Sequence, residues 1–167
     1  RLTIPPSLRH RRYRLLWFGL MVSIAGTQMQ IWSIFWHIRT ITDQPIALGG
    51  VGLARIIPVI LFSLIGGATA DVANRRKVMF ITQTAMALGA LTLALLTFSE
   101  SVALWQIYAL TALQAVAVAF DTPARQSLVP NLVPPRDLPN AFSMSSLAFQ
   151  TGAIVGPALS GLVIAYL

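Results

Sequence analysis

Long apolar runs separated by short polar or proline-bearing connections set the pattern of this chain. Five of them stand out, at residues 15–38, 48–70, 78–98, 102–120 and 142–167. An α-helix rises ~1.5 Å per residue and the hydrocarbon core of a bilayer is ~30 Å thick, so a crossing takes about 20 residues. Each run approaches or exceeds that length. Across all five, Arg55 is the only Lys, Arg, Asp or Glu, as expected where a charge at mid-bilayer is costly. The pattern predicts an all-α membrane protein with five transmembrane helices.

The connections differ in kind. Asp43-Gln44-Pro45 and Ser99-Glu100-Ser101 predict two tight reversals. The segment 121–141 carries Pro123, Pro130, Pro134, Pro135 and Pro139, which together preclude one continuous helix and predict a structured elbow.

Composition agrees with a lipid solvent. Of 167 residues, 56% are hydrophobic and 10% charged, where soluble chains carry about 25% charged residues. The net charge of +7 would suggest nucleic acid in a soluble domain, but here the basic residues are sorted by connection. Arg1, Arg9, Arg11, Arg12 and Arg14 precede the first run, Arg75, Arg76 and Lys77 follow the second, and Arg125 and Arg136 follow the fourth. The alternate connections hold Arg39 with Asp43 and Glu100. The excess of positive charge on one side places the N-terminus and loops 71–77 and 121–141 in the cytoplasm of a plasma membrane. It accounts for the basicity without a nucleic-acid partner.

The chain has no cysteine, which excludes disulfides, thiolate metal sites and cysteine nucleophiles. No metal constellation or cofactor fingerprint is present, nor H-E-x-x-H or G-x-S-x-G, and His10 and His37 lie near opposite faces. An enzyme is not expected. The first run is longer than a signal-peptide core of roughly 7–15 residues and no small-residue cleavage site follows it, so it is expected to remain as a span. The chain begins on Arg1 and ends on Leu167 within an apolar run, so both ends read as cut.

On the first run, at ~100° per residue, Ser23, Gly26, Thr27, Gln30, Ser33 and His37 fall in one sector, with Gln28, Trp32, Phe35 and Trp36 outside it. Either this stripe hydrogen-bonds to neighbouring helices, or it lines a water-filled substrate path with Gln30 as the chief contact. Thr111, Gln114 and Asp121 share one side of the fourth run, and Gln150 on the fifth is a further cavity candidate. The third run has Thr82, Gln83 and Thr84 near one end and otherwise reads as peripheral. Arg55 either anchors its helix at an interface or meets an anionic substrate. Trp17, Trp32, Trp36, Trp105 and Tyr108 fit interfacial anchoring.

Two segments carry a more specific signal. The first runs from Gly66 to Lys77 and has small residues, Asp71, Asn74 at a position suited to left-handed φ, then a basic triplet. It resembles the loop signature of the major facilitator superfamily, with Gly67, Ala70, Asp71, Arg75 and Arg76 matching and Thr69, Val72 and Asn74 departing. The second, Gly152 to Gly161, sets Gly152, Gly156 and Ser160 on one face and Pro157 beside them, a surface for close helix packing. It resembles the antiporter signature of that superfamily's exporters, with Gly152, Gly156, Pro157 and Gly161 in place and Ser160 replacing a glycine. The segments at 122–130 and 132–141, with Gly52-Leu-Ala-Arg-Ile-Ile-Pro58, are similar to the branch that includes enterobactin and macrolide exporters, over the chain from about Tyr13 onward.

The resemblance implies the N-terminal half of a six-plus-six helix exporter, with the sixth helix outside these 167 residues. It implies a cytoplasmic latch of Gly67, Asp71, Arg75, Arg76 and Asp121, in which Arg75 pairs with Asp121, and a cavity lined by the first and fourth helices. The implied partners are the lipid bilayer, a small-molecule drug or siderophore, protons in exchange, and the C-terminal remainder of the transporter. Where the family carries an Arg in the fourth helix, Thr111 stands here, and no acid lies at mid-span. Coupling would then use Asp71, Asp121 or residues beyond the chain. A non-transporting membrane scaffold stays open as the alternative.

Overall fold

The computed structural model describes residues 5–166; Arg1 and the terminal Leu167, both part of the sequence reading, lie outside the described residues. Five long helices follow one another: α1 (Arg11–Ile41), α2 (Pro45–Val72), α3 (Arg75–Phe98), α4 (Leu104–Leu128) and α5 (Leu138–Tyr166). Among the described residues there is no strand. All five are long and apolar enough to cross a membrane. Their apolar side chains are largely unburied by the protein itself, with Leu64 84%, Phe80 75% and Ile154 72% exposed. Exposed apolar surface of that extent is uncommon on soluble monomers and is the expected outer face of a helix in lipid.

Each helix outruns its apolar stretch. α1 begins at Arg11, four residues before the run, because hydropathy ends where the basic residues start but backbone hydrogen bonding does not. Proline starts α2 at Pro45, where its missing N–H costs nothing. Asn74 has φ −68° and ψ 104° and its Oδ1 accepts from the backbone N–H groups of Arg76 and Lys77. The left-handed turn expected at Asn74 is therefore replaced by an N-cap, which satisfies two of the donors left open at the start of α3. The left-handed residue is instead Glu100, φ 52°, in the α3–α4 reversal.

The chain divides into two compact units, one made of residues up to Trp36 together with those from Val129 onward, the other of His37–Leu128. In the second unit α4 packs against both α2 and α3. α4 continues through Pro123 to Leu128, so the elbow is shorter than 121–141. Pro123 has no N–H for the carbonyl four residues back, that of Ala119. Gly66 of α2 sits at this carbonyl, so closely that a Cβ there would collide with it. Glycine lets the α2 backbone cover a carbonyl that proline has freed, a contact of the Cα–H to oxygen type.

In the first unit, what remains of the elbow is two 3₁₀ turns, Val129–Asn131 and Pro135–Asp137. Tyr13, Val129, Val133 and Ala141 form a buried cluster with Leu8, Leu16, Trp17, Leu138 and Met144 packed around it. A 3₁₀ turn at Pro6–Arg9 ahead of α1 contacts α5.

Candidate functional site

In the second unit, the strongest polar constellation is centred on Asp121, which is 5% exposed. Its Oδ2 accepts from Arg125 Nη2 at 2.6 Å and Nε at 3.2 Å. Its Oδ1 accepts from Thr82 Oγ1 at 2.9 Å and Gln83 Nε2 at 3.1 Å. Four donors thus serve a buried carboxylate, with the charge matched by an arginine one turn along the same helix. This satisfies the condition for keeping an ion pair away from water.

The expected Arg75–Asp121 pair is not made. Arg75 Nε donates to the Ala70 carbonyl at 3.3 Å, at the C-terminal end of α2, where carbonyls lack helical donors and the helix dipole favours a cation. Asp121 is taken by Arg125 because an i, i+4 partner is already in reach on one helix. Asp71 and Arg76 are exposed and Gly67 is half-buried, with open space around its Cα. Of the five latch candidates, Asp121 forms the buried ion pair, and its partners Arg125, Thr82 and Gln83 were not among them. The Asp121-x-x-x-Arg125 spacing was the available signal. Helix α3, read as peripheral, supplies two of the four donors.

The shared side of α4 turns toward α3. Gln114 lies over Gly89 of α3, its Cγ and Nε2 each 3.6 Å from where a Cβ of Gly89 would stand, and Asp121 meets Thr82 and Gln83 of the same helix. Along this side α3 offers α4 a glycine and two polar donors. Thr111 is buried, and its Oγ1 and the Nε2 of His37 are the buried polar atoms that have no hydrogen-bond partner among the described residues. Arg55 is exposed on α2 beside exposed Leu53, Ile56 and Ile57. Tyr108, read as an interfacial anchor, donates its hydroxyl to the Ala47 carbonyl of α2 at 2.9 Å.

In the first unit α5 meets α1 along the small-residue face. A side chain at Gly152 would run into Ile24, and one at Gly156 into Gln28 and the Ala25 carbonyl. Ser160, 1% exposed, shares a hydrogen bond with Ser33 at 3.1 Å. Ser33 of the polar stripe thus serves packing, and so does Gln28, on the opposite sector. Thr27 donates to the Ser23 carbonyl at 2.9 Å, and Gln30 is half-buried. Pro157 lies within α5, while Gly161 has open space around it and Gln150 is exposed.

A polar seam joins the segment before α1, and the first turns of α1, to the start of α5. Ser7 donates from N and Oγ to Asn140 Oδ1 at 3.1 and 2.7 Å. His10 Nε2 lies 2.9 Å from Asp137 Oδ2. Tyr13, fully buried, donates to the Ala141 carbonyl at 2.6 Å, and Trp17 donates to the Met144 carbonyl at 2.7 Å. Trp17 was read as an interfacial anchor; its indole N–H instead ties two helices together.

Five apolar helices, a buried carboxylate paired with an arginine, and helix contacts made through glycine and serine define a multi-pass integral membrane protein. The sequence pattern of the transmembrane secretion effector family matches residues 3–167. The chain belongs to this family of major facilitator transporters. It is 28% identical over 131 residues to the staphyloferrin A transporter of Staphylococcus aureus, covering 78% of this chain and 33% of that protein. It is 23% identical to macrolide efflux protein A of Streptococcus pyogenes, covering 91% and 38%. It is 27% identical to the multidrug efflux pump Tap of Mycolicibacterium fortuitum, covering 92% and 39%. The chain spans a third to two fifths of the length of these relatives. No solved structure matches it.

Proposed function

We propose that this chain supplies five helices of the N-terminal half of an exporter that moves an amphiphilic small molecule, of the drug or siderophore class, out of the bacterial cytoplasm. The family match across residues 3–167, laid over five bilayer-length helices, carries the reading. Alternating access in such transporters rocks one helix bundle against another around a site near the midplane. The rest of the relatives' length would supply the opposing bundle. The positive-inside rule supports a cytoplasmic N-terminus in the inner membrane.

In this reading α1 and α4 each carry candidate substrate contacts. Ser23, Thr27 and Gln30 are the α1 contacts, and the unpartnered hydroxyl of Thr111 is the α4 contact. Asp121 with Arg125, Thr82 and Gln83 is a fixed point that holds α3 to α4, while exposed Asp71 and Arg76 with Arg75 form the moving part of the latch. Proton exchange is the proposed drive, with Asp71 and Asp121 the candidate carriers among the five acids of the chain.

The test is retention of a fluorescent macrolide and of an iron-free siderophore in an efflux-deficient bacterium. The chain is expressed alone and together with the C-terminal remainder of its full-length parent. Export restored only by the pair supports the proposal. Equal retention in every strain, with both polypeptides present in the membrane, favours a scaffold without transport.

A further inference from the structure

A groove of about 310 Å³ runs over the second unit, lined by Thr69 of α2, by Val78, Ile81, Thr82 and Ala85 of α3, and by α4 residues that include Leu113, Ala117 and Phe120. Its polar lining is already spoken for. Thr69 donates to the Ile65 carbonyl at 2.7 Å, and Thr82 to its own helix and to Asp121. What the groove presents is carbon, so it suits an alkyl chain and offers nothing to a polar solute.

Charge marks one end of it. Val78 lies at the start of α3, directly after the Arg75-Arg76-Lys77 triplet, and Lys77 is one turn before Ile81 on the same face. Arg75 is tied to Ala70, and Arg76, at ~100° per residue, faces away from the lining residues Val78, Ile81, Thr82 and Ala85, which leaves exposed Lys77 as the cation beside the groove. The neighbouring acids leave this charge largely uncompensated: Asp71 is exposed and single, and Asp121 is held by Arg125. Within a bilayer, an apolar groove has no hydrophobic preference for one lipid over another. The basic end supplies the preference.

We propose that this groove is a binding site for an anionic phospholipid, with one acyl chain along α3 and α4 and the phosphate at Lys77. The inference needs only that α2, α3 and α4 span the membrane; it does not depend on what is transported. A bound anionic lipid would screen the triplet and brace α3 against α4 beside the Asp121 cluster.

Native mass spectrometry of the full chain in nonionic detergent, titrated with phosphatidylglycerol or phosphatidylcholine of matched acyl chains, tests it. Phosphatidylglycerol is expected to bind preferentially. Lys77→Gln should lower that preference roughly fivefold. Arg11→Gln with Arg12→Gln, two exposed basic residues elsewhere, should leave it unchanged. Ala85→Phe, which fills the groove, should weaken both lipids, and free glycerol phosphate should not compete. Equal binding of the two lipids, an unaltered preference in the Lys77 variant, or an equal loss in the Arg11/Arg12 variant would overturn the proposal.

Discussion

Replacing Asp121 by Asn keeps the shape of the side chain and removes its charge, which makes it the sharpest probe of the buried cluster. In the native arrangement Oδ1 accepts from Thr82 and Gln83, and Oδ2 from two nitrogens of Arg125. An amide has one acceptor oxygen, so its NH2 must face donors on one side or the other. If nitrogen takes the Oδ2 position it stands against Arg125 Nη2, 2.6 Å away in the native pair, and both charge-assisted bonds are lost. The side chains of Arg125 and Asp121 are 15% and 8% exposed, so little water replaces them. Breaking one side of such a pair costs about 3–5 kcal/mol. Removing both charges leaves no orphan, and Asp121→Asn with Arg125→Gln should cost less than the sum of the single changes by at least about 1.5 kcal/mol. The assay is unfolding in mixed micelles of rising SDS content, followed by far-UV circular dichroism. A second cycle pairs Asp121→Asn with Arg75→Gln and should show coupling below about 0.5 kcal/mol, since Arg75 is bound to Ala70. An Asp121→Asn cost under about 1 kcal/mol, or stronger coupling to Arg75 than to Arg125, would refute this assignment.

The α1–α5 contact gives a contrasting pair of glycines. Gly156→Val should cost about 3 kcal/mol or more, because a side chain there meets backbone of α1, whereas Gly161→Ala, in open space, should change stability by less than about 0.5 kcal/mol; melting temperatures by fluorescence-detected size exclusion compare them. Tyr13→Phe removes the bond from a fully buried hydroxyl to the Ala141 carbonyl and should cost about 1–3 kcal/mol on the same assay. A cost equal to that of an exposed substitution such as Arg12→Gln would contradict the seam between the start of α1 and α5.

The helices were legible because about 20 consecutive apolar residues with no charge suit little else than a bilayer, and Leu48 to Ala70 shows this with Arg55 as its single exception. Their ends were less so. Hydropathy falls at Arg14 and at Asp121, but hydrogen bonding carries α1 back to Arg11 and α4 on to Leu128, where Asp121 and Arg125 neutralise each other inside the protein. Pro123 looked like a breaker, and it is accommodated because Gly66 of another helix comes to the carbonyl it frees. The small-residue face of α5 was readable from its spacing, but its partner, α1, was not. The Asp121 cluster was half visible: the i, i+4 spacing of Asp121 and Arg125 lies in the sequence, whereas Thr82 and Gln83 approach from 39 and 38 residues away. Family resemblance directed attention to Arg75 as the partner, and local geometry favours Arg125. Similarly, Trp17 and Tyr108 read as interfacial by type, and only packing shows their polar atoms spent on Met144 and Ala47.

Every functional statement rests on five crossings with alternating sidedness. The chain has no cysteine, so single cysteines introduced at Asp43, Arg76, Ser101 and Arg136 can be read without a background. Labelling with a membrane-impermeant maleimide in intact bacterial cells should modify the cysteines at 43 and 101 and spare those at 76 and 136 until the membrane is opened. Labelling of positions 76 and 101 from the same side of an intact membrane would contradict the account.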